Sequence, residues 1–110
     1  MAANVRLSQY QSLNPVIHEK TRLAIMTYLI SAGETAFTEL KNELRLTDGN
    51  LNLHMKVLEK NGFVKVHKAF VDRRPRTTYA VTDKGSRAFE EHVSLLERIL
   101  RVGRRSRTEK

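Results

Sequence analysis

The sequence predicts a mainly α fold carrying one small β-hairpin, in the order helix, helix, helix, hairpin, helix. Three observations predict it. Apolar residues recur at spacings of three and four in four separate stretches, which is the signature of helices with one buried face. A single stretch, Phe63 to Val81, changes to strand chemistry, with Val64 and Val66 alternating against Lys65 and His67. The stretches are punctuated by Asn14-Pro15, Gly33, Thr47, Asn61-Gly62 and Thr82, residue types that start or stop helices.

Taken in order, residues 1–13 are polar and aperiodic and read as a flexible arm. Asn14 is placed to cap a helix with Pro15 at its first position, running to about Ser31. Leu23, Met26, Leu29 and Ile30 form its inner face, with Ile25 beside them, and Gly33 ends it. A short helix follows from about Thr38 to Arg45, striped by Phe37, Leu40 and Leu44. It is too short to stand alone and must pack on neighbours. Thr47 caps a third helix, Asp48 to Lys60, whose Leu51, Met55 and Leu58 face inward. Two strands, Phe63–Phe70 and Thr77–Val81, flank a polar segment from Val71 to Arg76, which Pro75 disqualifies from a sheet interior. Thr82 caps a last helix, about Asp83 to Val102, and 103–110 reads as a disordered basic tail. The domain proper is therefore expected over 14–102.

Charge narrows the function. Twenty Lys and Arg against twelve Asp and Glu leave the 110 residues at +8, a balance that suits a polyanionic partner. The surplus is concentrated. Residues 65–87 hold seven cations and two acids, and 98–110 hold six cations and one acid, so each segment carries +5. With no cysteine there is no disulfide, thiolate chemistry or cysteine metal site. The absence fits a reducing cytoplasm. No apolar run approaches the roughly 18 residues of a membrane span, and no signal peptide opens the chain. The four histidines have no metal-ligand spacing, so no cofactor is expected. There is no Gly-rich phosphate loop, nucleophile motif or acid pair, which argues against an enzyme.

The second and third helices are joined only by Leu46 and Thr47, with Arg45 at the joint. A short helix, a tight turn and a longer helix make a helix-turn-helix, whose second helix enters a major groove, and a basic hairpin directly after it makes a wing. The run from Thr47 through Val64, with its core Asp48-Gly49-Asn50-Leu51 followed by His54, resembles the recognition helix of winged-helix regulators of the MarR/ArsR type. It is most similar to the small winged-helix DNA-binding domain subgroup. The wing Arg73-Arg74-Pro75-Arg76-Thr77 and the Thr82-Asp83-Lys84-Gly85 helix start are similar to that subgroup too, and the likeness spans about Ile17 to Leu96. The resemblance implies transcriptional control by a DNA-binding dimer. Leu53 stands where the family has a polar or basic residue, and Met55 replaces a leucine.

On this reading Asn50, Asn52 and Lys56 lie opposite the apolar stripe of the third helix. Asn reads adenine bidentately and Lys reaches guanine or phosphate. A merely solvated face would look alike, but the flanking elements favour DNA. Gly49 would let a phosphate backbone approach closely, or is simply a relaxed residue near the cap. Leu53 touches a thymine methyl or turns inward, and His54 bonds DNA or serves as a half-buried structural residue. Arg73, Arg74 and Arg76 would grip phosphates or enter the minor groove. Thr47, Lys68 and Thr77 complete the expected DNA-facing set, with Lys65 and Lys84 weaker candidates. Phe37, Phe63 and Phe89 are assigned to the core, and Tyr28 and Tyr79 to the core or to the lining of a dimer-interface pocket, with the core favoured.

Two apolar stripes on the last helix exceed what one small domain can cover, so Val93, Leu95, Leu96, Ile99 and Leu100 are expected to pair a homodimer. Such a dimer would read a pseudo-palindromic operator. The domain and its last helix use up the chain, so any small-molecule effector would act at the dimer interface. The alternative is a winged-helix module for protein or RNA interaction without an operator, since fold alone does not fix function. A protein-binding wing would more often be apolar, and this one is basic.

Overall fold

Side-chain chemistry at the element boundaries sets the architecture. In the computed structural model, which describes residues 5–108, Asn14 Oδ1 accepts from the Val16 and Ile17 amides at 2.9 and 3.2 Å and opens α1, Pro15–His18. The expected single first helix is broken here. Glu19 is extended (φ −66°, ψ 132°) and its carboxylate accepts from the Arg22 amide at 2.9 Å, capping a separate α2, Lys20–Ala32. A carboxylate one residue before a run of helix formers is itself an N-cap, and that competing cap explains the break. Gly33 (φ 84°) ends α2 through its amide bond to Leu29 O.

A two-residue strand that the sequence pattern does not reveal, β1 (Thr35–Ala36), leads directly into α3 (Phe37–Leu44). Then come α4 (Asp48–Lys60), β2 (Val64–Val71), β3 (Arg74–Val81) and α5 (Asp83–Thr108). The sheet is antiparallel in the order β1-β3-β2, with Thr35 opposite Tyr79 and Val64 opposite Val81. Pro75 lies inside β3, paired with Phe70, contrary to the expected loop. It is tolerated because β1 reaches only Thr78 and Tyr79, so at Pro75 the strand has one partner and one open edge.

The core is built by α2, α3 and α4 against the sheet: Ile17, Ile25, Met26, Leu29, Leu40, Leu51, Met55, Leu58, Phe63, Val64 and Tyr79 are buried together. Tyr28, Phe37 and Phe89 pack at its margin. Ile30 is 41% exposed and lies outside the core, unlike the rest of its expected face.

Both termini are more ordered than the pattern suggests. Within the arm, Leu7–Ser12 form a 3-10 helix that lies against α5, while residues 1–4 are outside the described residues. The expected disordered tail continues α5 to Thr108, with 109–110 outside the described residues. Gly103 meets no neighbour and costs only about 1 kcal/mol of propensity, too little to end a helix whose following arginines are good helix formers. The long axis of the molecule is 62 Å against 25 and 21 Å across. α5, at roughly 39 Å for its length, accounts for the elongation.

Candidate nucleic-acid interface

The helix-turn-helix is closed without glycine. Arg45 takes the left-handed conformation (φ 56°, ψ 48°), its amide bonding Asn42 O at 3.3 Å while the Leu46 amide bonds Lys41 O at 3.0 Å. Thr47 Oγ1 then accepts the Asn50 amide at 3.1 Å and starts α4. Lys41 Nζ meets Asp48 Oδ1 at 3.0 Å across the turn. Buried Leu51, Met55 and Leu58 fix the rotation of α4 about its axis. That rotation leaves Gly49, Asn50, Asn52, Leu53 and Lys56 on the exposed side, along with Thr47 at the cap. Leu53 is 60% exposed, which removes the inward alternative. A Cβ added at Gly49 would meet nothing within 4 Å, so packing inside the chain does not require glycine there.

His54 is half-buried and committed on one side. Its Nδ1 lies 3.1 Å from Arg22 Nη1 and 3.7 Å from Glu19 Oε1. A guanidinium can only donate, so Nδ1 accepts from Arg22 when the ring is neutral, and the ring pairs with the Glu19 carboxylate only when it is protonated. Arg22 also donates Nε–H to Val16 O at 2.7 Å, so this one side chain ties α1 and α2 to α4. Burial alone would raise the Glu19 carboxyl, but the Arg22 amide, His54 and the Arg22 guanidinium together hold it below its ordinary value. Sequence reading missed Arg22 and Glu19, whose separation from His54 leaves no periodic signal.

The wing is a ribbon rather than a loop. β2 and β3 stay paired from Val64↔Val81 to Val71↔Arg74 and turn on two residues, Asp72 and Arg73, both at positive φ (52° and 68°). This is the sign pattern of the turn whose twist matches paired strands. Side chains alternate across a strand. Lys68 opposite Thr77, and Phe70 opposite Pro75, therefore continue the face that Val66 and Tyr79 present to the core. Arg74 and Arg76 lie on the other face, and Arg73 is in the turn. Lys68 and the three arginines are exposed, while Thr77 is half-buried. The basic tip also carries apolar surface that the charge pattern does not reveal, because Phe70 is 79% and Val71 48% exposed. Lys65 is exposed, and Lys84 Nζ lies over the Phe63 ring at 5.8 Å.

At the far side, Val93, Leu95, Leu96 and Ile99 are half-buried and Leu100 is 58% exposed, none of them belonging to the core cluster. His92 is buried beside them. The Asn14 amide donates to its Nδ1 at 3.2 Å, so the His92 ring donates from Nε2 to His18 Nδ1 at 3.1 Å. Desolvation first, then His18, pushes the His92 pKa down.

Residues 21–100 match the family model described as winged helix DNA-binding domain. An uncharacterised protein of Methanocaldococcus jannaschii is 36% identical over 78 residues, covering 71% of this chain and 85% of its own. A structure described as a transcriptional regulator homologue from Pyrococcus horikoshii superposes with TM-score 0.79 at 32% identity, over 87% of this chain and 95% of the other. A MarR-family regulator structure from Enterococcus faecalis shares the fold, with TM-score 0.74 at 22% identity over 96% and 94% of the two chains. No described helix is long and apolar enough to cross a membrane. With its helix-turn-helix, paired wing and matched span, the chain belongs to the winged helix DNA-binding domain family, a family of transcriptional regulators and not of enzymes.

Proposed function

We propose that this protein is a sequence-specific regulator of transcription that binds double-stranded DNA as a homodimer in the cytoplasm. The observation that carries the reading is a set of exposed polar side chains on α4 and the wing that have no partner among the described residues. Asn50, Asn52, Lys56, Lys68, Arg73, Arg74 and Arg76 make no side-chain hydrogen bond or ion pair with the described residues, while nearby His54 and Thr47 are partly committed within the chain. Amides and guanidiniums held out on a rigid helix and ribbon are the donors and acceptors that base edges and phosphates require. Leu53, exposed among them, suits a thymine methyl, and Gly49 leaves room for a backbone. Thr77, beside Lys68, adds a hydroxyl for phosphate.

Val93, Leu95, Leu96, Ile99 and Leu100 would supply the dimer face, since they lie outside the core cluster and stay half-exposed or, at Leu100, exposed. Two α4 helices about one turn apart, roughly 34 Å, would then read a pseudo-palindrome. A small-molecule effector would act where α5 meets its partner. Selection of bound fragments from random duplexes tests the reading: an inverted repeat with half-sites one helical turn apart, or a multiple of it, is expected. Recovery of unrelated sequences would remove the operator.

Exposed Phe70 and Val71 favour a second reading, a wing that docks a protein. It predicts no enriched motif in the same selection.

A further inference from the structure

We propose that Phe70 is a wedge that enters the minor groove of the bound duplex and parts one base step, so that the wing reads DNA deformability as well as charge. The proposal rests on the DNA-binding reading above.

Phe70 is the most solvent-exposed large apolar side chain among the described residues, at 79%. Its position explains why. The core-facing side of the hairpin is covered at Val64, Val66 and Tyr79, but Phe70 and its partner Pro75 lie beyond that cover, next to the last pair before the turn. An aromatic ring left in water is a standing cost that partner binding can relieve.

The support is stiff. Strands paired up to a two-residue turn, with Asp72 and Arg73 both held at positive φ, keep Phe70 in one orientation. A flexible loop would fold its aromatic back onto the domain. A minor groove about 6 Å wide admits a single side chain presented at the end of such a ribbon.

The surroundings choose the partner. Lys68 shares the face of the ring, Arg73 lies in the turn beyond it, and Arg74 and Arg76 flank its partner Pro75 on the opposite face, and the wing carries no acid besides Asp72 to neutralise them. An apolar protein groove would have to desolvate Lys68 on the same face and Arg73 in the turn to take up Phe70. A second copy of this chain, at +8, would bring like charge against like. DNA supplies the opposite charge, and its minor groove favours inserted arginine. Apolar side chains placed between base steps beside such cations unstack them and kink the duplex.

The experiment uses the full chain and a duplex recovered from the selection, with 2-aminopurine moved through successive adenine positions in the flanks of each half-site. Wild type should raise the fluorescence at one step per half-site. Phe70→Ala should abolish the rise, and Phe70→Leu should keep part of it. Wild type should also prefer a flexible TA at that step over a stiff A-tract by about 10-fold, and Phe70→Ala should lose the preference. The salt dependence of binding should not change in Phe70→Ala, because no charge is removed. Tight binding with no fluorescence rise at any position overturns the wedge alone. So does an unchanged step preference in Phe70→Ala, or a change in its sedimenting mass, which would make Phe70 a protein contact. Failure of wild type to bind any duplex at low salt overturns the DNA-binding reading and the wedge with it.

Discussion

A Cβ added at Gly85 would lie 2.1 Å from the Phe63 carbonyl oxygen and 2.9 Å from its Cα. Those are backbone atoms, and the same carbonyl accepts the Thr82 amide at 3.0 Å, so neither side can yield cheaply. Gly85→Ala should therefore destabilise the fold by about 1–3 kcal/mol, even though alanine gains about 1 kcal/mol of helix propensity. A urea titration by circular dichroism checks the sign. His92 sets a second expectation. Its folded pKa is depressed, so below the ordinary histidine value of about 6.5 the unfolded chain takes up a proton that the folded ring refuses. The stabilisation is whole above that value and is lost as pH falls through it toward the lower folded value. Thermal melts from about pH 7.5 down to about pH 5 should show a steeper decline for wild type than for His92→Gln. Parallel curves would mean that His92 titrates alike in both states.

Among the elements, α4 and the wing should separate by how each responds to mutation. Asn50→Ala or Asn52→Ala should cost about 1–3 kcal/mol at the selected site and little on random duplex, if the amide meets a base edge. Arg74→Ala should weaken binding on both duplexes alike. It should flatten the plot of log affinity against log salt by about 0.9 for each phosphate left without its cation, and by about twice that for two wings. Equal weakening on both duplexes for the asparagines would demote them to backbone binding. An unchanged slope for each of Arg73, Arg74 and Arg76 in turn would take the wing off the DNA. These elements were largely legible in the sequence because each has a local cause. Thr47 caps, Leu51-Met55-Leu58 faces inward, and α4 runs over Asp48–Lys60 as its periodicity predicts. What escaped has a non-local cause. Glu19 breaks the first helix by bonding a backbone amide, and β1 exists only because β3 passes beside it. Pro75 stays in a strand because its other edge is empty. Phe70 fits the strand alternation, and nothing in that alternation tells that the core ends before reaching it.

At the scale of the molecule, Val93, Leu95, Leu96, Ile99 and Leu100 of α5 lie beyond the cluster that holds the rest together, while Phe89 packs at its margin. A homodimer would cover them, and sedimentation at micromolar concentration should show twice the mass of the 12.7 kDa chain. Leu96→Asp with Ile99→Asp should give a monomer of reduced thermal stability, since a carboxylate buried at an apolar interface is costly unless paired. Unchanged mass and melting temperature would place the interface elsewhere. The part-buried His18–His92 contact joins α1 to this same helix, so loss of the dimer should also loosen the packing of α1.

The close approach of Gly85 to Phe63 has a mechanical consequence. It fastens the start of α5 to the residue where the recognition helix passes into the wing, leaving the rest of α5 as a lever about 35 Å long. One degree of rotation at that fastening moves the lever's far end by about 0.6 Å. In the proposed dimer the lever also sets how far apart the two recognition helices stand. A bolt without a side chain is then a gauge: the tighter its seat, the narrower the range of half-site separations the pair can span.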